Sequence, residues 1–553
     1  MARTRTLTRD EVLRLRRAAV SRADGADQAV RGALERPLGS TAAIKELHDL
    51  LLFLEAYPTS AEQHRIAVTG MRRFRQRLHE RITDDARLRE ALQDSGLAGG
   101  DVVGSYSYTM VRWLLKHWPA PVLLNDLDAS AEQLSLLVRP QLTPPEQEAL
   151  DQCGGDAAEL LAALFGAGGQ AQLKGLVQAL AGGDMGQGQR EALFNALSCY
   201  VRIVGSPKAP SLSTLRFVAE APSFHPGPLQ RSVDVPALLA RPVEPPLPLT
   251  AGAHRRLIAT ARQVLALMQR ETDPVTYAQR AELHAMGRGL TIALFHMDPA
   301  HRLSLESYVG FMAFKNGVPM AYGGAWVFPG RTKVGINVFP ALRGGESAWF
   351  FAQLLRLYHQ RFSVPLFEAE NYQLGHGNPD GLRSGAYWFY YRLGFRPWNE
   401  RLARIAAREA KRLGSQPGYE VPLPLLKELV ADGLVLRIRD DEGQPMVDTA
   451  ALVHAAGALA GAAGDRPRAL RDARARARRM LGVPDAAAKR AALEDWALPL
   501  ALIDDLERWP VADRRCIARA LALRSAGTEH GYQEALRRCT RLLHAWAEAG
   551  GQG

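Results

Sequence analysis

The chain has 553 residues, 47% hydrophobic and 23% charged, with 69 Lys and Arg against 58 Asp and Glu for a formal net charge of +11. That length exceeds what one hydrophobic core serves and predicts about three domains; the composition is that of a soluble globular protein, and no apolar run approaches the roughly 20 residues a bilayer span needs, which excludes a membrane-spanning helix. The positive balance favours polyanions, acidic partners or phosphate-bearing cofactors through the long-range field, an excess that a base-composition bias toward Arg and Ala also produces.

The opening stretch MARTRTLTRDEVLRLRRAAV is basic but carries neither the apolar segment nor the small-residue cleavage site of a secretory signal, so the expected compartment is the cytoplasm. Thr8 and Glu11 are spaced as a capping box and predict a helix start. Over residues 1–202, segments such as TAAIKELHDLLLFLEAY, AAELLAALFGA and REALFNALSCYVRIVG repeat apolar positions at three and four, which predicts an all-helical N-terminal domain. Prolines crowd residues 203–250, ending in RPVEPPLPLTAG. They remove backbone donors and favour extended chain, so this stretch reads as a linker.

The texture changes over residues 251–400. After one helix, AHRRLIATARQVLALMQRE, come the β-rich runs LTIALFHM, YVGFMAFKNGVPMAYGGAWVF and KVGINVF. Asn316-Gly317 divides the second run into a hairpin, because both residues tolerate positive φ. A helix (ESAWFFAQLLRLYHQRF), a strand (VPLFEAENYQL), a Gly/Pro/Asn loop and the helix SGAYWFYYRLGFRP follow. Residues 401–553 return to helical periodicity. Cys153, Cys199, Cys516 and Cys539 lie far apart and form no CxxC, so neither a disulfide framework nor a zinc site is indicated, no metal is expected, and the thiols read as inert and buried.

Chemistry concentrates between 308 and 397. The strand GINVF runs through the Gly-containing turn PALRGGES into a helix, where unpaired N–H groups, the helix dipole and Arg343 make a candidate phosphate cradle; an ordinary strand-to-helix turn reads the same way. In the strand PLFEAE, Glu368 and Glu370 alternate with Phe367 and Ala369 and so share one face. Either carboxylate is a candidate base, as is His376 in the loop GHGNPDG; a solvated strand face and an exposed turn are the bland readings. In RPRALRDARARARRM, Arg471, Arg474 and Arg478 share a helix face that suits a solvated surface or nucleic-acid phosphates.

The segment 290–400 resembles the GNAT superfamily of acyl-CoA-dependent N-acyltransferases. Ala386, Tyr390, Leu393, Gly394 and Phe395 match its A-x-x-x-Y-x-x-L-G-F ending, and Arg343, Gly344 and Ala348 align with its R/Q-x-x-G-x-G/A loop. The resemblance implies an α+β fold, a GNAT-like mixed sheet with packed helices, flanked by mainly α-helical N- and C-terminal regions. It implies acetyl-CoA or another acyl-CoA as donor, an amine of a small molecule or protein as acceptor, pantetheine along the backbone of Ile336, Asn337, Val338 and Phe339, pyrophosphate at Arg343, Gly344, Gly345 and Ala348, and Tyr390 as general acid. The sequence departs from the pattern at Glu346, where the loop has its central glycine, and at Arg383, where an Asn is frequent. A carboxylate beside a pyrophosphate predicts repulsion. A non-catalytic GNAT-like interaction scaffold and a GNAT-fold transferase using an aminoacyl-tRNA donor are the alternatives.

Overall fold

The first helix, α1 (Arg9–Ser21), begins at the predicted capping box: the Thr8 side chain accepts from the Glu11 N–H while the Glu11 carboxylate accepts from the Thr8 N–H. The computed structural model describes residues 5–152, 155–182, 185–439, 444–482 and 487–551. Ser40 caps α2 (Thr41–Ala56), whose buried side includes Leu47, His48, Leu51 and Leu54. Between 102 and 203 the all-helical expectation is corrected. There β1 (Val102–Ser105), β2 (Val122–Leu127) and β3 (Cys199–Ile203) form an antiparallel sheet of order β1-β3-β2. Strands of four to six residues carry too little periodicity to be told from helix locally, and their partners are remote: Val102 pairs with Ile203.

The main sheet has eight strands. After α3 (Ala251–Leu267) come β4 (Ala278–Gly287), β5 (Leu290–Met297), β6 (Ser307–Lys315), β7 (Val318–Phe328) and β8 (Arg331–Val338). Then follow α4 (Ser347–Phe362), β9 (Leu366–Ala369), α5 (Ala386–Arg392), β10 (Arg396–Pro397) and β11 (Leu434–Arg437). Their order is β10-β11-β9-β8-β7-β6-β5-β4, antiparallel throughout except for the parallel pair β8 and β9. The β6–β7 hairpin turns where predicted, with Asn316 at φ 48° and Gly317 at φ 79°. Three strands of this sheet lie outside the sequence reading, the two-residue β10 among them, which falls in the stretch read as a helix. β4 is an edge strand with four polar residues among its ten, and β11 inserts between β9 and β10 from beyond residue 400, so the sheet crosses the boundary expected there.

β5 and β6 are buried on both faces, which is why they read as continuous apolar runs. Ile292, Leu294, Phe311 and Ala313 join a core with α1, α2 and α4, whereas Ala293, Phe295, Met312 and Phe314 join one with α3 and the small sheet. The N-terminal residues are thus the cover of the sheet rather than a separate body. Nor is 203–250 a free linker: Leu247 N–H donates to Leu283 O at 2.7 Å along the edge strand β4, and Gln360 Nε2 donates to Leu239 O at 2.9 Å. The proline-rich chain needs no ladder of its own, and it gives Leu215 and Phe217 to one core and Val235, Leu238 and Leu239 to the other.

C-terminal helices form a third core around Trp496, Tyr532 and Trp546, joined to the sheet by Tyr532 Oη to Leu305 O at 2.7 Å and by Arg302 to Glu529 at 3.1 Å. Cys199 and Cys539 are buried, Cys516 is half-buried, all three are free, and Cys153 lies outside the described residues. Among the described residues no helix is long and apolar enough to cross a membrane, and no group of His, Cys, Asp and Glu is arranged to hold a metal.

Candidate functional site

β8 pairs with β7 along its length, from Phe328–Arg331 to Ala321–Val338, but with β9 only at Thr332–Phe367 and Lys333–Glu368. β9 ends at Ala369 and the chain turns into the short Asn371–Leu374 helix, whose Gln373 side chain packs against Gly335. The C-terminal half of β8 therefore has no strand on its β9 side. Of the four positions expected to hold pantetheine, two are partly engaged within the chain: Val338 O accepts from Arg343 Nε at 3.2 Å, and Phe339 N–H donates to Met320 O at 2.9 Å. Ile336 is half-buried and Asn337 exposed.

Beyond β8 the loop Arg343, Gly344, Gly345, Glu346 leads into α4. Gly345 is required by close approach, since a Cβ there would lie 2.6 Å from the Tyr57 ring. Glu346 occupies the N-cap position without capping the helix. Its carboxylate turns inward, 1% exposed, and accepts from Lys315 Nζ at 2.8 Å, from Gln230 N–H at 2.9 Å and from Arg288 Nη2. Lys315 Nζ also donates to Arg288 O at 2.6 Å and lies 4.9 Å from the Tyr57 ring centroid and 5.3 Å from that of Trp349. Burial by itself raises the Glu346 carboxyl. The hydrogen bond from Arg288 and the Lys315 ammonium outweigh it and hold the group well below the usual carboxylate range, while burial pushes Lys315 down.

The carboxylate expected to repel a pyrophosphate is instead buried and paired with two cations, the buried Lys315 and the exposed Arg288. It leaves the first N–H groups of α4 without a side-chain cap, at the positive end of the helix dipole.

A cleft of about 550 Å³ opens at that helix start, lined by Gly344, Gly345, Ser347 and Ala348 from the loop, by Phe389 and Arg392 from α5, and by Arg231 from the proline-rich stretch. A second cleft of about 760 Å³ shares Arg231 and Gly344 with it and adds Arg16, Arg17, Phe53 and Arg343. Arg16 Nη2 donates to Ala341 O at 2.7 Å, which ties α1 to the loop. Five guanidiniums thus surround one basin, and among the described residues none of the five forms an ion pair with a carboxylate. Of these arginines only Arg343 was marked by the sequence pattern. Arg16, Arg17, Arg231 and Arg392 carry no local signal.

Tyr390 is 2% exposed, and its ring packs edge-on against Phe351, Phe389 and Phe395 at 5.3, 5.6 and 5.3 Å. Its hydroxyl is buried with no partner among the described residues, and burial raises the phenol above its ordinary range. Tyr387 shares both properties, so burial and bonding do not single out one tyrosine. Its neighbours Phe389 and Arg392 reach the arginine basin.

Glu368 and Glu370 share a face, as the alternation predicts, and each meets a base of β8: Glu368 lies 3.5 Å from Arg331 and Glu370 2.7 Å from Lys333. Burial raises the half-buried Glu368, opposed by Arg331 and Lys333. Glu370 is exposed at the strand's end, His376 is exposed in the following loop, and Arg383 pairs with Asp380. Gly344, Gly345 and Ala348 line the first cleft and Arg343 the second, which shares Gly344 with it, while His376 lies at the surface. In the Arg-rich helix α6 (Arg466–Leu481), Arg468 pairs with Asp472 at 3.7 Å, Arg474 with Glu494 at 3.6 Å and Arg476 with Glu507 at 2.6 Å, which neutralises part of that stripe. Comparison with protein-family models, curated proteins and solved structures returns no match to this chain.

Proposed function

We propose that the protein is an acyl-CoA-dependent N-acyltransferase of GNAT type, with the donor's phosphates in the arginine-lined cleft at the start of α4 and its acyl end along β8. The observation that carries this reading is the cleft itself: an uncapped helix N-terminus faced by arginines that lack carboxylate partners suits a multiply charged phosphate ester. The half of β8 that has no strand on its β9 side supports it further, because backbone groups facing that side suit an amide-bearing arm such as pantetheine.

In the reaction the acceptor nitrogen attacks the thioester carbonyl, a C–N bond forms, the C–S bond breaks and the thiolate leaves with a proton. Tyr390 is the donor toward the sulfur in this reading: burial keeps its phenol protonated, and its hydroxyl has no partner among the described residues. Glu368 suits the base best of the three candidates, since burial raises its affinity for a proton. Glu370 is engaged by Lys333, and His376 is exposed.

Calorimetric titration with acetyl-CoA and longer acyl-CoAs tests the proposal. Binding that weakens when Arg392 is replaced by Ala, together with amine-dependent thiol release, is the expected result; undetectable binding at millimolar ligand sinks it and favours the non-catalytic scaffold. The second cleft, with Arg16 and Arg17, favours one further reading, a transferase taking an aminoacyl-tRNA donor. Salt-sensitive tRNA binding would then replace acyl-CoA binding.

A further inference from the structure

Two of the free thiols meet among the C-terminal helices. Cys516 lies on α7 (Val511–Ala526), and Cys539 stands at the junction of α8 (Glu529–Arg538) and α9 (Thr540–Ala549). Both sulfurs turn to one carbonyl oxygen: Ala535 O accepts from Cys516 Sγ at 3.8 Å and from Cys539 Sγ at 3.4 Å. The two side chains are also hydrogen-bonded to each other. Cys539 is buried and Cys516 half-buried, so the pair has one inner and one outer member. Burial, with the Cys516 sulfur beside it, pushes the Cys539 thiol up, and the inner sulfur keeps its proton.

We propose that Cys516 and Cys539 are an oxidation site, a dithiol that a hydroperoxide converts to an intrachain disulfide. Cys516, the outer member, attacks as the thiolate: its sulfur bonds to one peroxide oxygen, the O–O bond breaks, and the other oxygen leaves as water or an alcohol with the proton Cys516 gave up. Cys539 then attacks the sulfenic acid; the S–S bond forms, the S–O bond breaks, and the hydroxyl leaves as water with the Cys539 proton. In sum two thiols lose two electrons and one hydroperoxide gains them. The second step joins sulfurs that already touch, so it needs no solvent access to Cys539, and its burial keeps foreign thiols away. The bond would fasten α7 to the end of α8, whose Glu529 and Tyr532 hold these helices to Arg302 and Leu305 of the main body. Neither cysteine lines the arginine-bearing clefts, and the inference does not depend on the acyltransferase reading.

Hydrogen peroxide on the reduced full chain is the test, followed by alkylation of the remaining thiols, digestion and mass spectrometry without reductant. A peptide pair joined through Cys516 and Cys539 should appear and should part again with dithiothreitol. Cys539→Ala removes the resolving thiol, so the sulfenic acid on Cys516 should persist and be trapped by dimedone. Both thiols still free after peroxide, a link from either one to Cys153 or Cys199, or oxidation of Cys516 to sulfinic acid beside a free Cys539 overturns the proposal. If Cys539→Ala does not fold, the linked peptide from the native chain decides alone.

Discussion

Lys315 Nζ lies 2.8 Å from Glu346 Oε2, with both side chains 1% exposed. This contact ties the last residue of β6 to the cap position of α4 and turns the one acidic residue of the Arg343–Ala348 loop into a structural anchor. Removing one partner of a buried pair leaves an uncompensated charge, at about 3–5 kcal/mol. Glu346→Gly should therefore lower stability by that order in urea unfolding, and acyl-CoA affinity should not increase. Tighter binding by a stable variant would mean that the carboxylate does oppose the ligand.

Arg231→Ala and Arg392→Ala should each weaken acyl-CoA binding about tenfold, the scale of a lost charge-assisted hydrogen bond, with little change in thermal stability because neither arginine forms an ion pair among the described residues. The difference should shrink as salt rises. Calorimetry at two ionic strengths checks both expectations.

Tyr390→Phe separates the core role of this residue from the chemical one. A buried hydroxyl without a partner is a cost to the folded state, so the variant should be as stable as the native chain or up to about 1 kcal/mol more stable. In the acyltransferase reading its kcat should fall while donor affinity holds. A rate equal to that of the native chain removes Tyr390 from the mechanism.

Burial pushes the His296 imidazole down to about 4 from an ordinary 6.5, although Glu282 pulls the other way. The ring sits 3.8 Å from Glu282, which is itself held by Arg361 at 3.0 Å and lies 3.7 Å from His284. The stability tied to a neutral His296 is complete above pH 6.5 and is lost as pH falls through about 4, because the unfolded chain takes up a proton that the folded chain refuses. The slope in that window is at most about 1.4 kcal/mol per pH unit. Unfolding measured across it should be less pH-dependent in His296→Phe, with part of the slope remaining from His225, which is also lowered.

Local signals were legible wherever a few adjacent residues decide the outcome. The Thr8–Glu11 box, the Asn316-Gly317 turn and the alternation that puts Glu368 and Glu370 on one face act within a turn or a strand. β4 and β11 escaped notice because each is defined by its place in the ladder: β4 pairs with β5, and β11 pairs with β9 and β10 from beyond a helix. Of the arginine-lined clefts, the stretch Arg343 to Ala348 was readable from its own pattern. The arginines that complete it come from α1, α5 and the proline-rich stretch, where nothing nearby marks them.

By itself the sequence determined a mixed sheet between helical ends, a hairpin at Asn316-Gly317 and a glycine-bearing turn into α4, because side-chain period and permitted φ are properties of neighbouring residues. Only the tertiary structure decided which way Glu346 faces. Its partners Lys315 and Tyr57 are 31 and 289 positions away, and a buried charge goes where opposite charge is already held. The same long-range packing gathered the arginines near the helix start.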